Sequence, residues 1–591
     1  MSTSIQTLPQ CLSARARETP GATAYLHPDS SGQWQQTTWH TIERKVAALA
    51  AQFTLLGLRP GDRVAIMLPT SPLWDYCQLA ALACGGVVVG LDGHDAPRNL
   101  QHILALTQPR AIVVPDSEKL AFIEGLWRAA DIPIIADEVP LSRAHSLRAL
   151  LDSKPEAIEL PSPTGPDDTA TIVFTSGSTG LPKGIPYSHR QLILACDAIS
   201  AHFPSVRGEA RLVCWLPLSN LFQRILNLFA MSTGAQTYFV DKPDQIIRLL
   251  PEIRPTLFVG VPRFFEKLHA GIVAEIDRQP SPIRRLVHTA WEVGQRVAEA
   301  RRAGRPPPVW CRALHPLSDR LLARVRALMG PELMFMASGS APLPQWLMER
   351  FHGLGWLVLE AYGVSENVIP IAINTPEAYR FGSVGRPLPG SELRVAEDGE
   401  LLVRGPGVFA GYLGGQVSDP VFDNDRFLHT GDYARIDDDG YLWLLGRKSE
   451  VFKTSTGRRI TPVPIEAELK KIDYVEHAII VGRDRPYPVA LLTIDPQHPL
   501  AGQIGESATL KRIGADAAAA CRHFPDYQRP GAIIVSSQPF TILGGELTAN
   551  LKVRRQPIEY RFAVQIEQSY QKAAEQHSAN CPKDPVVIHA L

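Results

Sequence analysis

Between Thr171 and His189 the sequence reads "TIVFTSGSTGLPKGIPYSH". A β-branched apolar run ends at Phe174 and gives way to Thr175, Ser176, Gly177, Ser178, Thr179 and Gly180. Hydroxyls and backbone N–H groups in such a loop can bond phosphate oxygens, and glycine lets the backbone approach closely. A single cation, Lys183, follows. The spacing is not that of the G-x-x-x-x-G-K-[ST] phosphate loop, because Gly184 stands after the lysine where a hydroxyl residue is needed. Pro182 also fixes φ and lacks an N–H, so the segment is not expected to wrap phosphate in that way. A flexible Ser/Gly linker is the bland alternative. The strand that leads into the loop and the closing "PKG" argue against it.

Such a loop needs a scaffold, and the flanking sequence supplies one. Ile42, Val46, Leu49, Phe53 and Leu56 fall at helical spacing, and Gly57 can close that helix. The strand-like "RVAIML", a helical stretch around Trp74 to Cys84 and the strand-like "GVVVGL" follow. This is β-α-β material, which implies parallel pairing with helices on the sheet faces. Similar runs recur at "TIVFT", "RLVCWLP", "TLFVGVP" and "ELMFMAS", each ending in Gly, Pro or Ser. Ligands bind beyond the carboxyl ends of such strands, which is where the hydroxyl-rich loop falls. From about Glu275 to Ala327 the chain is arginine-rich and helical in pattern, interrupted by "RRAGRPPPVWCR". A solvated helical insertion is the plainer reading; contact with an anionic membrane or a long ligand is the other. After residue 390 short strands and turns take over, and a small α+β domain of ordinary size follows.

The bulk numbers set limits. A chain of 591 residues exceeds one compact core. Sixty Lys and Arg balance sixty Asp and Glu, so the basic excess of a nucleic-acid binder is absent. The eight cysteines are scattered, with no C-x-x-C pair and no histidine cluster at zinc spacing, which reads as buried thiols in a reducing compartment. The N-terminus lacks the apolar core of a signal peptide, and no apolar run approaches the ~20 residues of a membrane span. The expectation is a soluble cytoplasmic protein that does not bind nucleic acid. Peripheral contact at the inner face of the membrane stays open.

"FTSGSTGLPKGIPYSH" resembles the phosphate loop of the adenylate-forming superfamily: acyl-CoA synthetases, adenylation domains of peptide synthetases and luciferases. Four further segments then line up in that family's order. "GSAPL", with Gly339, Ser340, Ala341 and Pro342, is similar to its adenine-side turn. "EAYGVSE" runs from Glu360, Ala361, Tyr362 and Gly363 to Ser365 and Glu366, and resembles the Y-G-x-T-E motif with serine for threonine. "HTGDYARIDDDGYLWLLGR" resembles T-G-D…D-x-D-G…G-R, and "GGELTANLKVRRQPIEY" resembles the catalytic-lysine segment. The resemblance implies ATP and magnesium as cofactors. It places Tyr362 on adenine, Ser365 at phosphate, Asp432 on both ribose hydroxyls and Arg447 on the nucleotide. Glu366 and Thr175 fall at the magnesium, Lys183 and the Thr175–Gly180 loop at the phosphates. The catalytic residues it implies are Lys552, Glu366 and Thr175. The chemistry is sensible: a flat ring covers a base, a carboxylate suits a hard cation, and a lysine spanning carboxylate and α-phosphate stabilises the charge that develops. The acidic run Asp437 to Asp439 reads instead as a solvated turn.

The resemblance runs from about Leu12 to Arg561. "IRPTLFVGVPRFFEKLHAGI", "FKTSTGRRITPVPIE" and "LTANLKVRR" are similar to segments of the long-chain fatty acyl-CoA synthetase branch. What this implies is an α/β fold: a large N-terminal adenylate-forming domain of stacked, helix-flanked sheets over residues 1–446, and a small mobile α+β C-terminal domain over 447–591. The implied reaction is an acid–thiol ligation. A medium- or long-chain fatty acid becomes an acyl-adenylate and then passes to CoA, with the phosphopantetheine arm of an acyl carrier protein as the alternative acceptor. An oxidation of luciferase type and a non-catalytic sensor are the remaining alternatives. Asn220 stands in "LPLSNLFQR" where the family usually has histidine or an aromatic residue, Ser449 where the hinge usually has Lys or Asp, and Ala549 and Asn550 where Pro-Thr precedes the lysine.

Overall fold

The computed structural model describes residues 5–127, 132–137, 145–153, 160–175, 181–415, 421–541, 544–547, 553–576 and 585–590. The chain forms two compact units. One comprises Met1–Leu393, Val403–Leu428 and Asp438–Leu442; the other comprises Arg394–Leu402, His429–Asp437 and Trp443–Leu591.

In the first unit the apolar runs of the sequence become strands. Among the described residues a seven-stranded sheet takes the order His145–Ser146, Ile134–Ala136, Ala111–Val114, Arg63–Ile66, Val87–Gly90, Thr169–Thr175, Lys183–Ser188. Its pairs are parallel except the last, which is antiparallel. Val64, Val88, Val89 and Val113 are fully or almost fully buried, as expected of parallel strands covered on both faces. The helix Trp39–Leu55 turns Ile42, Val46, Leu49 and Phe53 into the core; Thr38 caps its start and Gly57, at φ +89°, follows its end. A second sheet runs Leu257–Gly260, Phe335–Ser338, Val358–Tyr362, Ala372–Ile373, Arg386–Pro387, its first three strands parallel. Its core gathers Phe258, Phe265, Trp291, Met336 and Phe351. The arginine-rich stretch folds as the helices Pro262–Asp277, Ser281–Arg302 and Val309–Arg326, the last two separated by the "RPPP" break.

The second unit holds a sheet ordered Val475–Val481, Val489–Ile494, Ala532–Ser536, Val586–Ala590. Alternate residues feed two cores: Ile480, Leu492 and Ile533 on one face, Ile479, Leu491 and Ile534 on the other. The α/β architecture is therefore the one the sequence implied. Among the described residues no helix is long and apolar enough to cross a membrane. The seven described cysteines are buried and none is in a disulfide.

Candidate functional site

The strand Thr169–Thr175 leaves its sheet at Thr175, which pairs with Lys183 on the returning strand. Ser176, Gly177, Ser178, Thr179 and Gly180 lie outside the described residues, as does Lys552. The Lys183 amine sits 4.9 Å from the centre of the Tyr412 ring, and the Tyr412 hydroxyl donates to Glu366 Oε1 at 2.6 Å. Backbone bonds tighten the same group. The Leu413 N–H donates to the Gly184 carbonyl at 2.8 Å and the Phe409 N–H to the Glu366 carbonyl at 2.9 Å. Tyr187 donates its hydroxyl to the Ser365 carbonyl at 2.5 Å. Thr175, Lys183, Ser365 and Glu366, far apart in sequence, thus meet at one sheet end. Burial raises the Tyr412 hydroxyl above its ordinary range, and the Glu366 carboxylate adds to the effect, so it stays a donor at neutral pH. Sequence reasoning missed Tyr187 and Tyr412. Tyr187 lay within the quoted loop segment, and its signal was its place on the returning strand.

The second sheet supplies the next pieces. The turn Gly339–Pro342 follows the strand Phe335–Ser338, and Gly363 to Glu366 follow its parallel neighbour Val358–Tyr362. Both therefore project from carboxyl ends of adjacent strands. Glu360 ties them together, accepting the Leu343 N–H at 2.9 Å. It is 5% exposed, and burial pushes its carboxyl up to about 7 against the opposing effect of that bond. Ser340 has φ +74°, a left-handed conformation uncommon for serine, which marks the turn as constrained. Tyr362 is buried; Gly363 is exposed, and Ala361 pairs with Ile373. A Cβ on Gly339 would meet the Phe222 ring at 3.0 Å. Asn220, the N-cap of the helix Leu221–Thr233, therefore lies two residues from a side chain packed on this turn.

Below the loop-bearing end of the seven-stranded sheet lies a buried polar network. Arg224, from "LPLSNLFQR", is 1% exposed, donates to Gln78 at 2.6 Å and to the Thr171 hydroxyl at 2.9 Å, and covers the Trp74 ring. Burial lowers its guanidinium to about 9. Asp75, bonded by Tyr25 and Asn227, is pushed up to about 6 by the same burial. This network braces the strand that carries the loop. The sequence offered no signal for it beyond an arginine inside an apolar helix.

In the second unit Arg447 Nε lies 3.3 Å from Asp432 Oδ1. The strand Leu428–Ile436, which carries Asp432, is fastened by Glu400, which accepts the Gly431 N–H at 3.0 Å, and binds His429 and Lys448 at 3.1 and 2.8 Å. Burial works to raise the Glu400 carboxyl, but these partners outweigh it and hold it below its usual range. The acidic turn is not merely solvated, as the sequence suggested: Asp437 accepts from the Trp443 indole at 2.9 Å and Asp439 is paired with Arg380. Flanking Lys552, Leu547 bridges to Val553 and the Arg554 N–H donates to the Glu546 carbonyl. Arg555, three residues beyond Lys552, is ion-paired. It forms a forked pair with Glu466 at 2.7 and 2.6 Å.

The chain's likeness to known proteins extends over both units. The profile of the AMP-binding enzyme family matches residues 12–413, and that of the AMP-binding enzyme C-terminal domain matches residues 450–574. A long-chain-fatty-acid–CoA ligase of Mycobacterium bovis, FadD15, is 30% identical over 92% of this chain and 93% of its own length. The rat long-chain-fatty-acid–CoA ligase ACSBG1 is 27% identical over 91% of this chain and 82% of its own. Among solved structures, the adenylation domain of a carboxylate reductase from Mycobacterium chelonae superposes with a TM-score of 0.79 at 21% identity, covering 96% of this chain and 92% of that one. The anthranilate CoA ligase AuaEII, in complex with anthranoyl-AMP, gives 0.73 at 20% identity over 94% and 97%. At such identities the structural matches speak to fold alone.

Proposed function

The chain belongs to the AMP-binding enzyme family, and we propose that it is an AMP-forming ligase joining a medium- or long-chain fatty acid to CoA. The fatty-acid–CoA ligases that match it nearly end to end support the substrate class and favour CoA over a carrier-protein arm. The observation that carries the phosphate chemistry is the chain of contacts Lys183–Tyr412–Glu366 at the end of the loop-bearing strand.

In this reading a carboxylate oxygen attacks the α-phosphorus of ATP. The bond to the β-phosphate oxygen breaks, and pyrophosphate leaves. The thiol then attacks the acyl carbonyl, the C–S bond forms, and AMP departs with the carboxylate oxygen. Thr175, Lys183, Ser365 and the loop Ser176 to Gly180 hold the phosphates. Gly339 to Pro342 and Glu360 to Gly363 hold the base, Asp432 and Arg447 the ribose side, and Lys552 meets the charge formed in the first step. Glu366, with Thr175, would hold magnesium, which takes one or two carboxylates beside phosphates and water. Bound there, it supplies charge neutralisation at the phosphates. We place the hinge between the two catalytic domains near Arg447 and Ser449, an exposed turn after the strand Leu442–Arg447, and the loop Lys453 to Arg459 at the thiol channel. A cytoplasmic setting is supported by seven buried cysteines that form no disulfide among the described residues.

Pyrophosphate release measured across a panel of carboxylic acids, with CoA and with holo-carrier protein as acceptors, tests the proposal. Release that depends on fatty acids and thioester formed on CoA are expected. Thioester only on the carrier protein would move the assignment to the alternative acceptor.

A further inference from the structure

The charge of this chain is unevenly spread. Residues 278–326 contain eleven arginines, no lysine and three acids, Glu292, Glu299 and Asp319, a net of +8 within a chain whose net charge is zero. They form the helices Ser281–Arg302 and Val309–Arg326. Six of the fifteen large apolar side chains exposed among the described residues lie on these two helices. On the second, Cys311, Ser318 and Leu322 face inward. Trp310, Leu314 and Leu317, spaced by four and three, share an outward face and are 46%, 43% and 56% exposed. Arg320 and Arg324 border this stripe at helical spacing, and the guanidinium of Arg296 lies 5.1 Å from the Trp310 ring centre. Arg312, Arg320 and Arg324 are exposed and form no ion pair among the described residues.

We propose that the helix Val309–Arg326 docks this protein on an anionic lipid surface. Trp310, Leu314 and Leu317 enter the headgroup–acyl boundary, and the surrounding arginines meet the lipid phosphates. Charge complementarity selects an anionic partner. An outward Trp/Leu/Leu stripe edged by arginine selects a bilayer over an acidic protein, which would need no apolar stripe. The functional advantage rests on the fatty-acid reading, since an apolar carboxylate concentrates in bilayers; the docking geometry does not.

The test is flotation of the full-length protein with vesicles, without ATP or fatty acid. Binding to a phosphatidylcholine–phosphatidylglycerol mixture is expected, with little to phosphatidylcholine alone and progressive release by salt. The triple variant W310S/L314S/L317S should bind at least ~10-fold more weakly, and R320E/R324E, which reverses the two arginines bordering the stripe, at least ~10-fold more weakly as well. Both should release pyrophosphate with a medium-chain acid in free solution as the wild type does. That solution assay tests the fatty-acid reading separately, so its failure leaves the vesicle result standing. Equal binding to both vesicle types, or unchanged binding by both variants, overturns the proposal. So does a wild-type dimer in gel filtration that the apolar triple variant abolishes without change in vesicle binding. Binding of an acidic carrier protein lost with the arginines, and no vesicle binding, overturns it likewise.

Discussion

Replacing Glu360 by Gln should stabilise the first unit, and more so as pH rises. The Glu360 carboxyl is 5% exposed, and burial lifts its pKa from 4.5 to about 7. The folded chain therefore keeps a proton that the unfolded chain has released. The stability tied to this group is fully present below about pH 4.5 and is lost as pH rises through about 7. At about 1.36 kcal/mol per unit, the shift costs roughly 3 kcal/mol once the group is ionised in both states. Between about pH 5 and about pH 8 the wild type should lose roughly 2.5 kcal/mol through this one side chain. Glutamine keeps an oxygen for the Leu343 N–H and does not titrate. Urea unfolding of both proteins at the two pH values, followed by tryptophan fluorescence, isolates the effect, because Asp75 and the other titrating groups cancel in the difference. A stability difference that stays flat with pH refutes the claim that a buried, ionisable carboxyl anchors this turn. Glu360→Leu is the companion variant. It leaves the Leu343 N–H without an acceptor, so it should cost about 1–3 kcal/mol at both pH values and raise KM for ATP.

Tyr412→Phe keeps the ring beside Lys183 and deletes the bond to Glu366; a hydrogen bond to a charged group contributes about 1.5–3 kcal/mol. Pyrophosphate exchange should fall by roughly 10- to 100-fold in kcat/KM, with a higher magnesium requirement; wild-type kinetics would exclude a role for this contact. Lys552→Ala should nearly abolish acyl-AMP formation while sparing thioester formation from supplied acyl-AMP, and equal loss of both half-reactions would reassign the residue. Arg555→Met leaves Glu466 without its forked partner, and breaking such a pair costs about 3–5 kcal/mol, readable as a drop in Tm of the second unit.

The sequence exposed the strands, the order of the motifs and the ends of sheets on which they sit. For the hydroxyl-rich loop it did so because the β-branched run Thr171 to Val173 leads within two residues into glycine and hydroxyl residues, a pattern local enough to read directly, whereas the T-G-D motif lies within the strand Leu428–Ile436. It did not expose Tyr187, Tyr412, Arg224 or Glu400. Their importance comes from partners far along the chain: Ser365 for Tyr187, Glu366 for Tyr412, Thr171 for Arg224 and Gly431 for Glu400. No periodicity reports such pairs. Asp439 shows the opposite error: it sat in an acidic run that suggested a solvated turn, yet it is paired with the distant Arg380.

A common construction underlies the three places where motif segments are fixed. Glu360 holds the Leu343 N–H, Glu400 holds the Gly431 N–H, and Glu466 holds both the Ile480 N–H and the Arg555 guanidinium that follows Lys552. In every case a glutamate side chain shielded from water fixes backbone or side chain next to the segment implied in nucleotide binding. A hydrogen bond is stronger in such surroundings than at the surface, both for the cation-paired Glu400 and Glu466 and for the Glu360 carboxyl, which keeps its proton below about pH 7. Each anchor also lies wholly within one unit: Glu360 and Leu343 in the first, the other two sets in the second. The three segments are thus preorganised separately, each by its own unit. In a two-step ligation the same preformed segments serve both half-reactions, so binding energy goes to the substrates rather than to rebuilding those segments.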